Sequence, residues 1–80
     1  MSLDQLKPGQ SGKVLDVSGA SALRRRLSDL GIRPGEIIKM IKSAPLRDPL
    51  QISLANSHVS IRRREASYVS IEVLLDVTGE

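Results

Sequence analysis

The segment 26–35, RLSDLGIRPG, constrains the fold most, because it predicts a helix end, a tight turn and the approach to a strand in one short stretch. Three leucines in and just before it recur at helical spacing, which places one apolar stripe along a short helix of about residues 22–30. They are Leu23, Leu27 and Leu30. Ser21 is expected to accept a hydrogen bond from an unpaired amide at the helix start.

The end of this helix is predicted to be abrupt. Gly31 suits the left-handed conformation that closes a helix. Pro34 restricts Arg33 to an extended conformation, and Gly35 supplies the positive φ that a type II turn requires. A strand over about residues 36–42 is therefore expected to follow directly.

Length and composition limit the class of protein. The chain has 80 residues and no cysteine, so an aliphatic core must stabilise it without disulfides, as in a reducing cytoplasm. Residues 1–20 lack the pattern of a signal peptide, and no apolar run approaches the roughly 18 residues that span a bilayer. We expect one cytoplasmic domain over residues 1–75, followed by a tail at 76–80.

Alternating apolar and polar residues predict further strands around this helix. The expected strands cover residues 11–17, 36–42, 50–54, 59–62 and 69–73, and short helical turns are expected at 2–6 and 64–67. Gly12 predicts a bulge or a close backbone approach. Lys7-Pro8-Gly9 predicts a second turn of the type at 33–35, and Asn56 is the residue best suited to a left-handed conformation in the loop before the fourth strand.

These elements predict a mainly β fold, a small five-stranded barrel with a short helix inserted after the first strand. The pattern does not decide between an SH3-like barrel and an OB-fold. The expected core residues are Leu6, Val14, Val17, Leu23, Leu27, Leu30, Ile38, Met40, Ile52, Leu54, Val59, Ile61, Val69, Ile71 and Val73.

Catalytic and metal-binding chemistry finds little support in the residue types present. The chain has one histidine and no cysteine, whereas a transition-metal site needs several converging ligands. No glycine-rich phosphate loop and no nucleophile with a nearby base are recognisable. We expect no enzyme activity, no cofactor and no metal site, and we leave open a site in which His58 is shared between two molecules.

Arginines dominate the charged surface. In the run 24–26, Arg26 flanks the leucine stripe, and Arg25 and Arg26 are each within reach of Asp29. The run is either a solvated face with local ion pairs or a docking face for an acidic partner. The run 62–64 is expected to serve the fold, with one side chain crossing the barrel rim and with Glu65 as its counter-charge.

The proline-flanked loop 44–49 is a second candidate contact, because a restrained loop loses little entropy on docking. The candidate partner-binding residues are Arg24, Arg25, Arg33, Leu46, Arg47 and Asp48. Tyr68 is the only aromatic residue in the chain, which argues against a proline-peptide groove and against base stacking.

In series, these motifs resemble the FeoA family, the small soluble component of bacterial ferrous iron transport systems, and the related SH3-like domain of iron-dependent repressors. The resemblance spans about residues 3–73. The segments that carry it are RRLSDLGIRPG at 25–35, AP at 44–45 with DPL at 48–50, IRR at 61–63 with EA at 65–66, and VSIEV at 69–73. Arg47 and Asn56 depart from the family pattern, because each stands where glycine is usual.

The resemblance implies an SH3-like barrel in the cytoplasm that supports FeoB, a large membrane GTPase and iron permease. We therefore expect a non-catalytic adaptor that binds FeoB. A narrower version of this hypothesis is that the adaptor supplies an arginine to the GTP site of the transporter. The alternative is a small basic barrel that binds nucleic acid through phosphates, since the formal net charge is +3. Self-association through an open strand edge is left open.

Overall fold

The structure is a computed structural model that describes residues 1–43, 48–55 and 57–74. Its strands are β1 (Ser11–Val17), β2 (Ile37–Ser43), β3 (Leu50–Leu54), β4 (Ser57–Ile61) and β5 (Val69–Leu74). A 3-10 helix (Leu3–Gln5), helix α1 (Ser21–Asp29) and helix α2 (Arg63–Ala66) complete the described part. The strands form one antiparallel sheet in the order β4-β3-β2-β1-β5, so the predicted mainly β architecture with a helix after the first strand is confirmed.

Strand positions agree with the alternation in the sequence to within two residues. β1 and β3 have the predicted bounds, whereas β4 begins two residues earlier than expected and contains His58, which was expected in the turn. Ala55 takes the left-handed conformation at this corner, with φ of 48°. Asn56, which was predicted to take this conformation, lies outside the described residues.

Helix α1 starts one residue before the predicted position, and the expected capping role of Ser21 is wrong. Ser21 lies inside the helix, and Ala20 is the N-cap residue, without a side-chain hydrogen bond. The amide of Arg24 donates to the carbonyl of Ala20 at 3.0 Å. The local backbone, and no capping side chain, therefore sets the helix start.

The C-terminal end of α1 is a complete Schellman motif. Gly31 has φ of 99°, and its amide donates to the carbonyl of Ser28 at 2.9 Å. The amide of Ile32 donates to the carbonyl of Leu27, also at 2.9 Å, and both of these side chains are buried. The predicted helix end at Gly31 is confirmed.

Two proline-glycine turns lead into the strands, as predicted. In the turn 33–36 the last amide donates to the first carbonyl at 3.0 Å, and in the turn 7–10 the same bond is 2.9 Å. Gly35 and Gly9 hold φ values of 95° and 90° in these turns, the conformation that a type II turn requires.

A register shift in β1 explains why Val14 and Val17 both face the core although an odd number of positions separates them. Pairing with β5 skips a residue between Val14 and Asp16, so Leu15 is displaced and 51% exposed. A similar shift between β2 and β3 leaves Ile41 36% exposed. These bulges place large apolar side chains on the outer surface.

One apolar cluster lies beneath the sheet and α1, and it draws on all five strands. The predicted core residues belong to it, although Val17, Leu23, Leu30, Val59 and Val73 are only partly buried. Four further buried members were absent from the list of expected core residues, although Leu3 was expected to pack against the core from its helical turn: Leu3, Ile32, Leu50 and Ala66. They lie at element ends and short turns, where a strand or helix period carries little information.

Candidate functional site

Helix α1 is attached to the barrel mainly by Leu27, the buried residue of this helix. The turn after the helix adds a polar contact, since Nε of Arg33 donates to the carbonyl of Ser28 at 3.2 Å. These contacts hold one side of α1 against the core and leave its arginines in solvent.

Helix α2 is short, and two carboxylates bind its first amides. Oδ1 of Asp48 accepts a hydrogen bond from the Arg63 amide at 2.9 Å, and Oε1 of Glu65 accepts one from the Arg62 amide at 2.9 Å. Unpaired amides at a helix start favour negatively charged acceptors. Asp48, a predicted partner-binding residue, is therefore engaged within the fold.

Arg63 has the structural role expected for the second arginine run, whereas Glu65, the counter-charge expected for this run, forms its ion pair with Arg26 instead. Nη1 of Arg63 donates to the carbonyl of Asp4 at 2.8 Å, which connects α2 to the 3-10 helix. Nη1 of Arg62 lies 3.8 Å from Oδ2 of Asp48, and the Arg62 side chain is 67% exposed. Exposed pairs at this separation add little stability, so the guanidinium of Arg62 is only weakly committed.

An ion pair joins the two helices across the surface. Nε of Arg26 lies 2.7 Å from Oε2 of Glu65. The expected local pairing of Arg26 with Asp29 is wrong, because Arg26 reaches α2 and no ion pair with Asp29 occurs among the described residues. Glu65 thus binds the start of its own helix with one oxygen and α1 with the other.

This position lowers the pKa of Glu65 below its ordinary value. The hydrogen bond from the Arg62 amide is the largest cause, and the hydrogen bond and charge of Arg26 act in the same direction. Partial burial opposes them by disfavouring the ionised form. The carboxylate of Glu65 is therefore ionised at neutral pH and linked to folding.

We expect Glu65→Gln to reduce the acid sensitivity of folding. A lowered pKa in the folded state stabilises the fold above the ordinary glutamate value of about 4.3, and this contribution disappears as the pH falls through the lowered value. Urea unfolding from neutral to acidic pH should show a smaller loss of stability in the variant, with the two curves converging at acidic pH. An unchanged pH dependence of stability in Glu65→Gln would contradict this role.

A groove of about 530 Å³ lies between α1 and α2, and we call it the α1–α2 groove. Its lining residues are Ala20, Leu23, Asp48, Arg62, Arg64, Glu65 and Tyr68. The lining thus combines an apolar part from the α1 side with arginines and carboxylates from the α2 side. Such a mixture is typical of a ligand site, in which a few polar groups orient a mainly apolar contact.

Tyr68 and Leu23 meet at Gly19, at one end of this groove. A Cβ atom at Gly19 would lie 3.1 Å from both Cδ1 of Tyr68 and Cδ2 of Leu23, so the two side chains enclose this glycine. The amide of Ser18 donates to the carbonyl of Tyr68 at 2.9 Å. This hydrogen bond holds the backbone of Tyr68 beside the start of α1, and Tyr68 remains 38% exposed.

Of the predicted partner-binding residues that the structure describes, Asp48 alone lines the groove. Arg24, Arg25 and Arg33 are exposed and lie outside its lining. Leu46 and Arg47 lie outside the described residues. The prediction that these six residues bind a partner remains a prediction.

Sequence reasoning missed Tyr68 and Arg64 as members of a site. A signal was available, because Tyr68 is the only aromatic residue of the chain and follows a predicted helical turn directly. The pairing of Glu65 with Arg26 had no local signal, since 39 positions separate the two residues.

In residues 1–43, 48–55 and 57–74, no three histidine, cysteine, aspartate or glutamate side chains form a potential metal-binding group. His58 lies exposed on β4, opposite Ser53 of β3. Within the same part of the chain, neither helix reaches the length and apolar character needed to cross a bilayer.

The sheet order, the helix after β1 and the helical turn before β5 define a small SH3-like β domain. The FeoA domain model matches residues 1–73. The chain therefore belongs to the FeoA domain family.

Solved structures of similar proteins confirm the fold. A FeoA protein from Chlorobium tepidum shares 35% identity with a TM-score of 0.88, over 99% of this chain and 75% of that one. A FeoA from Stenotrophomonas maltophilia, solved with zinc and described as a prokaryotic SH3 domain protein, shares 29% identity with a TM-score of 0.78, over 90% of this chain and 89% of its own.

A fusion protein of Fe(2+) transport protein A and the Fe(2+) transporter FeoB, from Porphyromonas gingivalis, is 31% identical over 74 residues. The match covers 92% of this chain and 9% of the fusion protein. The chain thus corresponds to a small part of that relative.

Proposed function

We propose that this chain is a non-catalytic, cytoplasmic accessory protein of ferrous iron transport that binds the transporter FeoB. The fusion relative carries the proposal, because it joins a segment similar to 92% of this chain to FeoB in one polypeptide. A covalent link raises the effective concentration of two modules that act together. The FeoA from Stenotrophomonas maltophilia, described in connection with ferrous iron transport activation, agrees with this role.

The described surface fits a binding role. Arg24 and Arg25 on α1 and Arg33 after it are exposed, and we call these three residues the arginine face. The net charge of +3 favours encounter with an acidic surface, since complementary charge raises association rates. We assign the arginine face, with the loop residues Leu46, Arg47 and Asp48, to the initial contact with FeoB.

Ferrous iron uptake by cells that lack this protein tests the proposal. Expression of the full chain should restore uptake only in cells that also produce FeoB. Restored uptake in cells without FeoB, or no restoration in cells with it, would contradict the accessory role.

Reversing charge on the arginine face should slow association with FeoB. We expect the double substitution R24E/R25E to lower the association rate about tenfold at low salt, because steering depends on surface charge. The double substitution K13E/K39E is the matched control, since it changes charge equally at exposed positions of β1 and β2. Surface-immobilised FeoB and a salt series provide the measurement, and equal losses in both variants would contradict docking through this face.

A further inference from the structure

We infer that the α1–α2 groove binds a short extended peptide segment that presents an aliphatic side chain beside a carboxylate. The inference rests on the proposed function for the source of that segment, which we assign to FeoB. It adds a site distinct from the arginine face, whose residues do not line the groove.

The apolar half of the groove is suited to an aliphatic anchor. Ala20, Leu23 and Tyr68 lie together on the α1 side of the lining. Tyr68 as a whole keeps 38% of its surface in solvent, although a tyrosine beside leucine gains by burial. An aliphatic side chain placed against Tyr68 and Leu23 removes this apolar surface from water.

The polar half of the groove selects a negative charge. Its carboxylates already have partners within the fold, since Asp48 accepts a hydrogen bond from the Arg63 amide and Glu65 accepts hydrogen bonds at both oxygens. Its guanidinium groups retain N–H donors for a ligand. The guanidinium of Arg62 comes no closer than 3.8 Å to the carboxylate of Asp48, and the exposed Arg64 has no ion-pair partner in the described part of the chain. A ligand carboxylate supplies the acceptor that these donors favour.

The walls of the groove are held in place before a ligand arrives. The Arg26–Glu65 pair at 2.7 Å spans α1 and α2. The Ser18 amide fixes the carbonyl of Tyr68 at 2.9 Å, and Gly19 leaves room for both Tyr68 and Leu23. A preformed site loses less conformational entropy on binding, which favours affinity for a short segment.

The same residues disfavour two other occupants. Proline-rich peptides bind between several aromatic rings, whereas this chain has a single aromatic residue. Single-stranded nucleic acid also needs successive aromatic platforms, which one tyrosine does not supply.

Tyr68 makes the test specific to this site, because the chain contains no tryptophan and no second tyrosine. Intrinsic tyrosine fluorescence therefore reports on the groove alone. The probe is an aromatic-free peptide of about ten residues with Leu and Asp two positions apart, so that both side chains face the same side of an extended chain. A matched peptide replaces Asp with Lys.

We expect a saturable change in Tyr68 fluorescence with the Asp peptide and none with the Lys peptide. Arg64→Glu should weaken binding at least about tenfold, since it converts a charge-assisted contact into repulsion. Lys13→Glu is the matched control, with the same charge change at an exposed β1 position outside the groove, and it should bind as the wild type does. Circular dichroism of both variants checks that the fold is retained.

Absence of saturation up to about 1 mM peptide would overturn the inference, because that affinity is weaker than any functional contact proposed here. An equal response to the Lys peptide, or a stronger response to an oligo-dT strand, would also overturn it. Co-purification of full-length FeoB with Arg64→Glu separates the two proposals. If Arg64→Glu abolishes peptide binding but still binds FeoB fully, FeoB is not the source of the segment. If the wild type binds the peptide but does not bind FeoB, the proposed function is refuted and the groove site is not.

Discussion

Replacing Leu27 with alanine is expected to lower the free energy of unfolding by about 3 kcal/mol. Leu27 is fully buried and is the residue through which α1 enters the core. Its truncation leaves a cavity that the surrounding side chains fill only in part. Alanine favours helix at least as strongly as leucine, so a loss of stability reports packing and not helix propensity. Urea unfolding followed by circular dichroism measures the effect.

Leu15→Ala provides the matched control for this truncation. Leu15 lies at the β1 bulge and is 51% exposed, so the same change of side chain should cost less than about 1 kcal/mol. Similar losses in the two variants would show that Leu27 does not anchor the helix to the barrel.

Gly12→Ala is expected to destabilise the fold by about 2 kcal/mol, because it crowds the contact between β1 and β5. A Cβ atom at Gly12 would lie 2.7 Å from Cδ1 of Ile71 and 3.4 Å from the carbonyl oxygen of Glu72. Ile71 is 2% exposed, so its end has little room to move. The close contact at this glycine is therefore with a side chain, whereas the prediction was of a bulge or a close backbone approach, and the β1 bulge lies between Val14 and Asp16.

A double-mutant cycle isolates this contact. Ile71→Val removes the crowding methyl group and alone should cost about 1 kcal/mol. Combined with Gly12→Ala, it relieves the clash, so the double variant should be more stable than the sum of the single effects by about 1 kcal/mol. Strict additivity in chemical denaturation would contradict the proposed steric cause.

Most of the barrel was predictable, because its strands bury one face and the alternation therefore shows in the sequence. β1 and β3 have their predicted bounds. The β1 bulge was also implied, since Val14 and Val17 were both assigned to the core although an odd number of positions separates them. Only a bulge brings such a pair to one face.

The burial of Ile32 was predictable from the sequence but was not predicted. Its backbone amide completes the Schellman motif with Leu27, and this motif commonly pairs two apolar side chains at these positions. Recognition of Gly31 as the helix end therefore implied that Ile32 is buried. The predicted capping role of Ser21 was wrong, because a side chain that is suited to capping does not ensure that a cap forms.

The α1–α2 groove was beyond sequence reasoning, since it depends on contacts between distant segments. Asp48, Glu65 and Tyr68 lie in segments that the pairing of β3 with β4 and of β1 with β5 brings together. Helical spacing favoured Asp29 as the partner of Arg26, but the fold places Glu65 of α2 beside Arg26 instead. The arginine face was predictable because exposed helical charges follow from spacing alone.

Direct binding of the purified chain to full-length FeoB in lipid nanodiscs tests the central claim most directly. We expect a saturable complex that migrates with FeoB in size-exclusion chromatography and whose association rate falls as salt increases. Absence of a complex at low salt, with folded chain and functional transporter, would contradict the account.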